Sequence, residues 1–433
     1  MRRRSSALAV LLNGRRVGRL SRAADGAIDF RYAGEWLDWE YALPVSLSLP
    51  LDTRRYTGAA VTAVFDNLLP DNDDIRRRIA GRVAADGIDA YSLLAAVGRD
   101  CVGALQFLPE GHEPAPPGTI DAEPLDEDDV AAIIRDLGRA PLGLDPDDAF
   151  RISIAGAQEK TALLWWEGRW HKPLGTTPTT HILKPQIGTL PNGIDLSNSV
   201  ENEHLCLTFL AELGLDVAST RIDRFGGRPV LVVERFDRWL SRDGRLLRRP
   251  QEDLCQALSV PPTRKYEDHG GPGVGDIMRL FAESDRPDVD RRALMKTIIA
   301  FWLIGATDGH AKNFSIFLSP GGRFSAAPAY DVLSAEPSLA AHQIERRQMR
   351  LAMAIGDRRR HRIDQIAPRH FVQTAVAAGY DEESTRAVLE ELRTTAGPAF
   401  AAAAGAMPPG TPAALTDPVA AAIARRCRTI ELM

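Results

Sequence analysis

Asp308 and Asn313 constrain this chain more than any other pair of residues. An apolar segment that predicts a helix over 297–306 leads into them, and a short predicted strand separates them from Asp331. In kinase catalytic loops an Asp stands five positions before an Asn; the Asp accepts a proton and the Asn holds a metal ion. This spacing recurs by chance, but the order of helix, loop, strand and acidic residue favours phosphoryl transfer. Two ligand groups must reach Mg²⁺ from opposite sides of a cleft, and this order provides them.

The length and composition are typical of a soluble globular protein with two or more domains. The chain has 433 residues, of which 44% are hydrophobic and 26% are charged, enough for sizeable cores. Its four cysteines include no Cys-x-x-Cys pair. We therefore expect neither zinc nor a disulfide framework, and we expect the reducing cytoplasm as the location.

Charge and hydropathy argue against a nucleic-acid coat and against a membrane. The net charge is −5, although basic runs occur at 2–4, 76–78 and 358–362. Each run favours a solvated face, and contact with DNA phosphates beside a sequence-reading partner is the alternative. The apolar run 7–12 is too short for a signal peptide, and no apolar run approaches the length of a membrane span. We expect no membrane partner.

The first part of the chain predicts mixed helix and sheet. Strands are predicted on both sides of Asn13-Gly14 and again over 28–32 and 104–108, and a helical region is predicted to open at Phe65. Clustered prolines predict that 109–125 is a linker or surface loop, and the acidic run after it suits the start of a helix.

The second part predicts a β-rich region followed by an α-rich region. Strand patterns dominate 150–234, interrupted by a helix over 200–213 that Gly214 ends. Helical patterns follow from about Gln251. Prolines in the Ala-rich tail 396–422 predict short helices and loops there.

A run of small residues opens the β-rich region at 153–160. Small side chains let a backbone approach a ligand closely, and successive amide N–H groups can cradle phosphate oxygens. The segment is no Walker motif and has one glycine, so an ordinary loop is the alternative. The candidate nucleotide-binding residues are Ala155, Gly156, Ala157, Gln158, Glu159 and Lys160.

Lys184 ends a predicted strand, where kinases place a lysine that contacts the α- and β-phosphates. Such a lysine needs a carboxylate partner on a helix. Glu203 shares a predicted helix face with Val200 and Leu207, and a charge on an apolar face needs a partner. Glu201 competes for this role, and an exposed strand-end lysine is the alternative for Lys184.

Glu234, Arg235 and Phe236 follow the last predicted strand of the β-rich region. A segment that joins two lobes can offer backbone hydrogen bonds to adenine, and Phe236 can stack on the base. A charged turn at a strand end is the alternative.

The loop around Asp308 supplies the remaining candidates. Asp308 is the candidate base, and Asn313 and Asp331 are the candidate Mg²⁺ ligands. Loop-capping residues are the alternative for each of them alone. The other candidate nucleotide-binding residues here are His310, Ala311, Lys312 and Tyr330.

Several longer stretches are more specific than these separate signals. They are 65–71, 153–162, 182–185, 233–238, 250–256, 265–267, 270–273, 305–314 and 330–334. On these stretches the chain closely resembles the HipA-type serine/threonine-protein kinase toxins of bacterial type II toxin–antitoxin systems.

The resemblance implies an α+β, two-lobed protein-kinase-like fold with ATP and Mg²⁺ as cofactors. It has a β-rich ATP-binding lobe, an α-helical lobe and an N-terminal α/β subdomain. The expected limits are 1–108 for the N-terminal subdomain, 109–148 for a linker and first helix, 149–255 for the β-rich lobe and 256–433 for the α-helical catalytic lobe. No catalytic position departs from the family pattern.

The resemblance also implies a biological role. The substrate would be a serine of another protein, in the best-known members an aminoacyl-tRNA synthetase such as glutamyl-tRNA synthetase, and its modification would inhibit translation and cause growth arrest or persistence. Ser153 would be autophosphorylated, which expels the phosphate-binding loop because like charges repel. A helix-turn-helix antitoxin similar to HipB would bind the chain and carry it to operator DNA as a co-repressor. The alternatives are a small-molecule kinase and a mainly DNA-bound co-repressor.

Overall fold

The structure is a computed structural model and describes residues 6–112, 114–144, 150–156 and 158–431. The candidate Ala157 lies outside the described residues. The chain forms two compact units. The first holds the chain up to Pro185 with Asp223–Thr263 and Ile316–Phe324, and the second holds Gln186–Ile222, Arg264–Ser315 and the chain from Ser325 onward. The predicted lobe limits stay predictions.

In chain order, the strands are β1 (Ser6–Leu12), β2 (Arg15–Arg22), β3 (Ile28–Tyr32), β4 (Tyr56–Thr57), β5 (Leu105–Pro109), β6 (Ala122–Leu125), β7 (Thr161–Trp166), β8 (Arg169–Pro173), β9 (His181–Pro185), β10 (Gly188–Thr189), β11 (Asp195–Leu196), β12 (Thr220–Phe225), β13 (Arg228–Glu234), β14 (Arg238–Leu240), β15 (Leu246–Arg248), β16 (Gln251–Asp253), β17 (Ser315–Ser319), β18 (Arg323–Ala326), β19 (Arg350–Ile355) and β20 (Arg360–Arg362). The helices are α1 (Gly34–Leu37), α2 (Ala59–Asp66), α3 (Asp73–Arg82), α4 (Ala90–Val97), α5 (Glu127–Asp136), α6 (Ser199–Glu212), α7 (Leu254–Ala257), α8 (Val274–Phe281), α9 (Pro287–Ile304), α10 (Glu336–Ala340), α11 (Pro368–Ala377), α12 (Glu382–Gly405) and α13 (Ala413–Glu431).

A hairpin opens the first unit, as the Asn13-Gly14 pair predicts. Strands β1 and β2 pair antiparallel, and Asn13 and Gly14 between them have φ values of 46° and 76°. Two consecutive positive φ values match the twist of a tight hairpin, and Asn and Gly adopt them most readily. The hairpin belongs to a five-stranded sheet in the order β4-β3-β2-β1-β5.

Helices α1 to α4 pack with this sheet around one apolar core, in which Phe30, Phe65 and Phe107 are fully buried. The prediction that Phe65 opens a helix is wrong, because Phe65 lies in the last turn of α2. Pro70 has no N–H for a continuing helix. Asn72 then starts α3 anew, because its side chain accepts from the Asp74 N–H at 2.7 Å.

The second sheet of the first unit has six strands in the order β12-β13-β9-β7-β8-β6. Val130 and Ile134 of α5 pack against Leu163 and Leu183 of this sheet. The prediction that all of 109–125 is a linker or loop is wrong at its end, because β6 pairs with β8 there. Pro124 lies in β6, and proline argues against a strand when the sequence alone is considered. Because β6 is an edge strand of the sheet, proline is tolerated there.

Strands also continue beyond Gln251, where helical patterns were expected to dominate. Strands β16, β17 and β18 form a three-stranded sheet, and β19 and β20 form a hairpin. These strands have three to six residues each, which is too short for an alternating pattern to stand out.

The second unit is mainly helical. Helix α6 ends before Gly214, whose φ is 76°, as the sequence predicts. Helix α12 packs against α6, α9 and α13, and Phe209 meets Phe400 with ring centroids 5.8 Å apart. Within the described ranges, no helix has both the length and the apolar character needed to cross a bilayer.

The prediction of short helices in the Ala-rich tail is wrong, whereas a predicted loop occurs at 406–412. Helix α12 continues through Pro398, and α13 contains Pro418. Proline removes one backbone hydrogen bond from a helix. The apolar faces compensate, because Phe400 of α12 and Val419 of α13 are buried, and tertiary packing commonly overrides propensity.

Candidate functional site

The loop that carries Asp308 begins where α9 ends at Gly305. Gly305 has a left-handed φ of 68°, and a Cβ placed there would lie 2.7 Å from Oε1 of Glu336. Both conformation and space therefore require glycine at this position. The backbone leaves the helix axis here and brings residues 307–313 into a compact turn.

Asn313 closes this turn and joins it to the segment that carries Asp331. Its side-chain amide donates to the backbone carbonyl of Asp308 at 2.9 Å and to that of Asp331 at 3.4 Å. The His310 N–H donates to the Asp308 carbonyl at 2.8 Å, and the Asn313 N–H donates to the His310 carbonyl at 2.8 Å. The structure thus brings Asp308, Asn313 and Asp331 together, as the sequence predicts for a single site.

The Asp308 carboxylate is exposed and accepts a hydrogen bond from the hydroxyl of Tyr266. The Tyr266 ring stands edge-on to the imidazole of His310, with centroids 4.8 Å apart. No sequence pattern singled out Tyr266 as a site residue. The one signal that includes it is the stretch 265–267, which resembles the kinase toxins.

Asp331 lies in a backbone conformation that few residues other than glycine adopt. Its φ is 60°, and such strain concentrates at functional sites. Neighbouring residues fix the segment: the Tyr330 hydroxyl donates to the Lys312 carbonyl at 2.7 Å, and Ala329 exchanges backbone hydrogen bonds with Asp216 and Ala218. His310, Ala311 and Lys312 are buried within the loop.

The oxygen atoms of Asn313 and Asp331 suit a magnesium ion, which prefers oxygen ligands and keeps several waters or phosphate oxygens. Among the described residues, no group of three or more His, Cys, Asp or Glu side chains forms a metal cluster.

Burial raises the pKa of the Cys101 and Cys206 thiols to about 12, which disfavours the thiolates that bind zinc.

Ser153 lies in the first unit and is fully buried. Its hydroxyl donates to the Leu68 carbonyl at 2.8 Å, and its N–H donates to the Asp100 carbonyl at 2.9 Å. Ile152 and Ile154 on either side are buried in the core of the N-terminal sheet. The predicted autophosphorylation site is therefore turned inward in this conformation.

The candidate phosphate-binding loop continues through Gly156, whose φ of 112° excludes other residues. Lys160 donates to the Ala155 carbonyl at 3.0 Å, and the Gln158 amide donates to the Pro185 carbonyl at 3.1 Å. Glu159 forms an ion pair with Arg78 at 3.3 Å. The side chains of Gln158, Glu159 and Lys160 are thus held by contacts within the first unit, and the contact of this segment with phosphate stays a prediction.

Lys184 and Glu203 are both almost fully buried, with 6% and 2% of their surface exposed. Lys184 pairs with Leu231 in the six-stranded sheet, and Glu203 lies on α6. The competing Glu201 accepts from the Gln186 amide at 2.6 Å. Which of the two glutamates is the partner of Lys184 stays a prediction.

The Arg235 side chain belongs to a buried network of charges. It pairs with Asp237 at 2.8 Å, and Asp100 pairs with Arg238 at 2.9 Å and with Arg248 at 2.7 Å. Burial raises the pKa of Asp100, but the guanidinium groups of Arg238, Arg248 and Arg235 together hold it well below its usual range. The Arg235 side chain is thus fully engaged in this network. Its N–H also donates to the Thr180 carbonyl at 2.9 Å, and its carbonyl accepts from the Arg238 N–H at 3.1 Å.

The flanking residues differ in exposure. Glu234 is exposed at the end of β13, and the half-buried Phe236 ring meets Phe317 edge-on with centroids 5.8 Å apart. Their contact with adenine stays a prediction.

Ion pairs within the chain account for most of the basic run 358–362. Arg359 pairs with Glu267 at 2.8 Å, and His361 lies 2.7 Å from Asp268. Arg360 and Arg362 pair with aspartates of their own hairpin region. This run therefore contacts neighbouring loops of the chain. Whether it also contacts DNA stays a prediction.

Two family models match the chain. The model of the HipA N-terminal domain matches residues 8–108, and that of the HipA-like C-terminal domain matches residues 152–400. The second match includes every candidate residue from Ser153 to Asp331.

Two relatives and one solved structure extend this result. The chain is 38% identical over 357 residues to Y4mE of Sinorhizobium fredii, described as a candidate kinase, with 81% of each chain covered. It is 32% identical over 333 residues to the serine/threonine-protein kinase toxin HipA of Shewanella oneidensis, covering 74% of this chain and 72% of that one. The structure matches a chain of the Shewanella oneidensis complex of HipA, HipB and operator DNA with a TM-score of 0.82, 25% identity and 98% coverage of both chains. The match confirms the predicted α+β fold class.

Proposed function

The chain belongs to the HipA family of kinase toxins, and from this premise we propose that it transfers the γ-phosphate of ATP to a serine of another protein. The observation that carries the proposal is the Asn313 amide, which links the carbonyls of Asp308 and Asp331. Phosphoryl transfer depends mainly on positioning and on charge stabilisation. One bridging side chain that holds a base and a metal ligand supports that chemistry.

The proposed roles follow the chemistry of each side chain. Asp308 accepts the proton of the attacking hydroxyl, because its carboxylate is exposed and ready to receive a substrate. Asn313 and Asp331 would hold Mg²⁺ through oxygen atoms, and the bound ion would neutralise phosphate charge. His310 and Lys312 steady phosphate charge from the same loop.

Residues outside the loop that carries Asp308 have further proposed roles. Lys184, with Glu203 as its partner, contacts the α- and β-phosphates, and the loop residues Ala155 to Lys160 approach the phosphates through their backbone. Glu234, Arg235 and Phe236 offer backbone and ring contacts to adenine.

Ser153 acts as a switch in this proposal. Its hydroxyl is buried against the Leu68 carbonyl, so the segment must leave the core before the hydroxyl can receive a phosphate. A phosphate adds roughly two negative charges, and a buried unpaired charge is strongly unfavourable. The phosphorylated segment therefore stays outside, and the phosphate-binding loop loses its conformation.

A helix-turn-helix antitoxin similar to HipB is the proposed partner. The solved relative is a complex of HipA with HipB and operator DNA, and it matches this chain almost end to end. The chain has a net charge of −5, so we propose that the antitoxin reads the operator and that the chain joins it as a co-repressor.

The proposed target is an aminoacyl-tRNA synthetase such as glutamyl-tRNA synthetase. Phosphorylation of such an enzyme would stop tRNA charging, inhibit translation and produce growth arrest or persistence. This part rests on the family resemblance alone.

Controlled expression in bacteria tests the proposal. We expect the native chain to arrest growth, Asp308→Asn to permit growth, and coexpressed antitoxin to restore growth. Asp288→Asn is the matched control, because Asp288 is an exposed aspartate at the start of α9. Phosphoproteomics of the arrested cells should show a serine phosphorylated only with active chain. Arrest by Asp308→Asn would instead favour the co-repressor, and arrest without a phosphorylated protein would favour a small-molecule kinase.

A further inference from the structure

Tyr266 lies in the loop 264–273. Among the described residues, its side chain is the one that hydrogen-bonds the Asp308 carboxylate. Tyr266 donates its hydroxyl to Oδ1 of Asp308. Its ring stands edge-on to His310 and to His269, with centroid distances of 4.8 Å and 5.7 Å. The Ala311 N–H also donates to the Lys265 carbonyl at 3.4 Å. This loop and the catalytic loop are therefore joined through both side chain and backbone.

The residues that follow Tyr266 anchor the loop to the β19–β20 hairpin. Glu267 is buried, accepts from the Ala354 N–H, and pairs with Arg359 at 2.8 Å. Burial raises the pKa of Glu267, and its bond to Ala354 and the charge of Arg359 partly offset this effect. The ionised Glu267 carboxylate holds the loop in place, because a buried charge without its partner Arg359 would be strongly destabilising.

A second anchor lies one residue further along. Asp268 pairs with Arg350 at 2.6 Å and approaches His361 at 2.7 Å. The loop is also tightly folded at Gly271, where a Cβ would lie 2.1 Å from the Arg264 carbonyl oxygen. Two anchors and a compact turn thus hold Tyr266 at one place.

We propose that Tyr266 is a positioning residue for Asp308, and that the β19–β20 hairpin positions Tyr266 in turn. This inference rests on the proposed kinase function. An exposed carboxylate rotates freely about its last torsion. A charge-assisted hydrogen bond to Oδ1 restricts that rotation and directs Oδ2 to the hydroxyl of the incoming serine. Tyr266 itself exchanges no proton with the substrate.

The removal of one hydroxyl group tests the proposal directly. The initial rate of autophosphorylation is measured against ATP concentration for the native chain, Tyr266→Phe and Asp308→Asn. We expect Tyr266→Phe to lower kcat roughly ten- to a hundredfold, the scale of a misplaced reacting group, and to leave the KM for ATP unchanged. Tyr380→Phe is the matched control, since Tyr380 is a buried tyrosine elsewhere in the same unit. Melting curves verify that each variant folds.

A double-mutant cycle tests whether the ion pair between Glu267 and Arg359 holds Tyr266 in place. Arg359→Ala should lower kcat in the same direction, and Tyr266→Phe added to it should have much less effect than in the native chain, because the loop is already released. Arg358→Ala is the control for a neighbouring exposed arginine. Independent, additive effects would contradict the role of the hairpin.

The outcomes separate this inference from the proposed function. If the native chain transfers no phosphate, the kinase function and the role of Tyr266 both fail. If the native chain is active and Tyr266→Phe keeps or raises its kcat, the kinase function stands and the positioning role is overturned.

Discussion

The side-chain amide of Asn313 donates to the backbone carbonyl of Asp308 at 2.9 Å. The same amide reaches the Asp331 carbonyl at 3.4 Å. Its amide N–H groups therefore join the backbone of Asp308 to that of Asp331. In the proposed site this asparagine would have two separable tasks, bridging the two segments and binding Mg²⁺ through its oxygen.

Asn313→Asp separates these tasks. The aspartate keeps an oxygen ligand but loses both N–H donors, and it places an acceptor against two carbonyl acceptors. We expect Mg²⁺·ATP affinity to be retained, while phosphoryl transfer falls roughly a hundredfold, because reacting groups are misplaced. Calorimetric titration and an initial-rate assay measure the two quantities. Asn198→Asp, at an exposed asparagine without a capping hydrogen bond, is the control; full activity of Asn313→Asp would show that bridging is unimportant.

Ser153→Asp should release the segment 150–156 from the core. An aspartate at this fully buried position has no cation within the contacts of the serine hydroxyl, and an unpaired buried charge costs several kcal/mol. We expect rapid protease cleavage between Phe150 and Gly156. Ser153→Ala loses the hydrogen bond without adding charge and should remain resistant. Equal resistance of both variants would mean that a charge at this position does not expel the segment.

Arg426 connects helix α13 to the end of helix α9, just before the loop that carries Asp308. It donates to the Leu303 carbonyl at 2.9 Å and pairs with the buried Glu336 at 2.5 Å. Arg426→Ala leaves Glu336 buried without its close partner, and such losses cost about 3–5 kcal/mol. Chemical denaturation measures the change. Arg428→Ala, at an exposed arginine of the same helix, should change stability by less than about 0.5 kcal/mol. Similar effects of both variants would show that the contacts of Arg426 with Leu303 and Glu336 do not stabilise the fold.

Glu252 predicts a pH dependence of stability in the first unit. Burial raises its pKa from 4.5 to about 8, although the Leu47 N–H donates to it at 2.8 Å. Between these pH values the folded chain keeps a proton that the unfolded chain releases, so stability falls as pH rises, by up to about 1.4 kcal/mol per pH unit. Glu252→Gln should flatten the dependence of the urea midpoint on pH between these limits. Glu123→Gln, at an exposed glutamate of β6, should leave it unchanged; an unchanged slope in Glu252→Gln would refute the assignment.

The sequence predicted those elements that the backbone preferences of a few neighbouring residues determine. The Asn13-Gly14 hairpin and the end of α6 at Gly214 follow from backbone preferences of single residues. The loop from Asp308 to Asn313 also has local causes, because helix α9, the glycine and the spacing lie within one stretch of chain.

Contacts between distant residues were not predictable in the same way. Tyr266 reaches Asp308 across 42 positions, and Arg426 reaches Glu336 across 90. Nothing in either local sequence indicates its partner. Tertiary packing also overrides the prolines of α12 and α13, whose buried apolar faces maintain helices that local rules exclude.

Intact mass spectrometry of the purified chain after incubation with Mg²⁺ and ATP is the first test of the proposed kinase, with Asp308→Asn, Asp331→Asn and Asp288→Asn in parallel. We expect the mass of one added phosphate on the native chain and on Asp288→Asn, located on Ser153 by peptide mapping, and none on Asp308→Asn or Asp331→Asn. Equal phosphate on Asp308→Asn, or none on a native chain that binds ATP, would contradict the proposed kinase function.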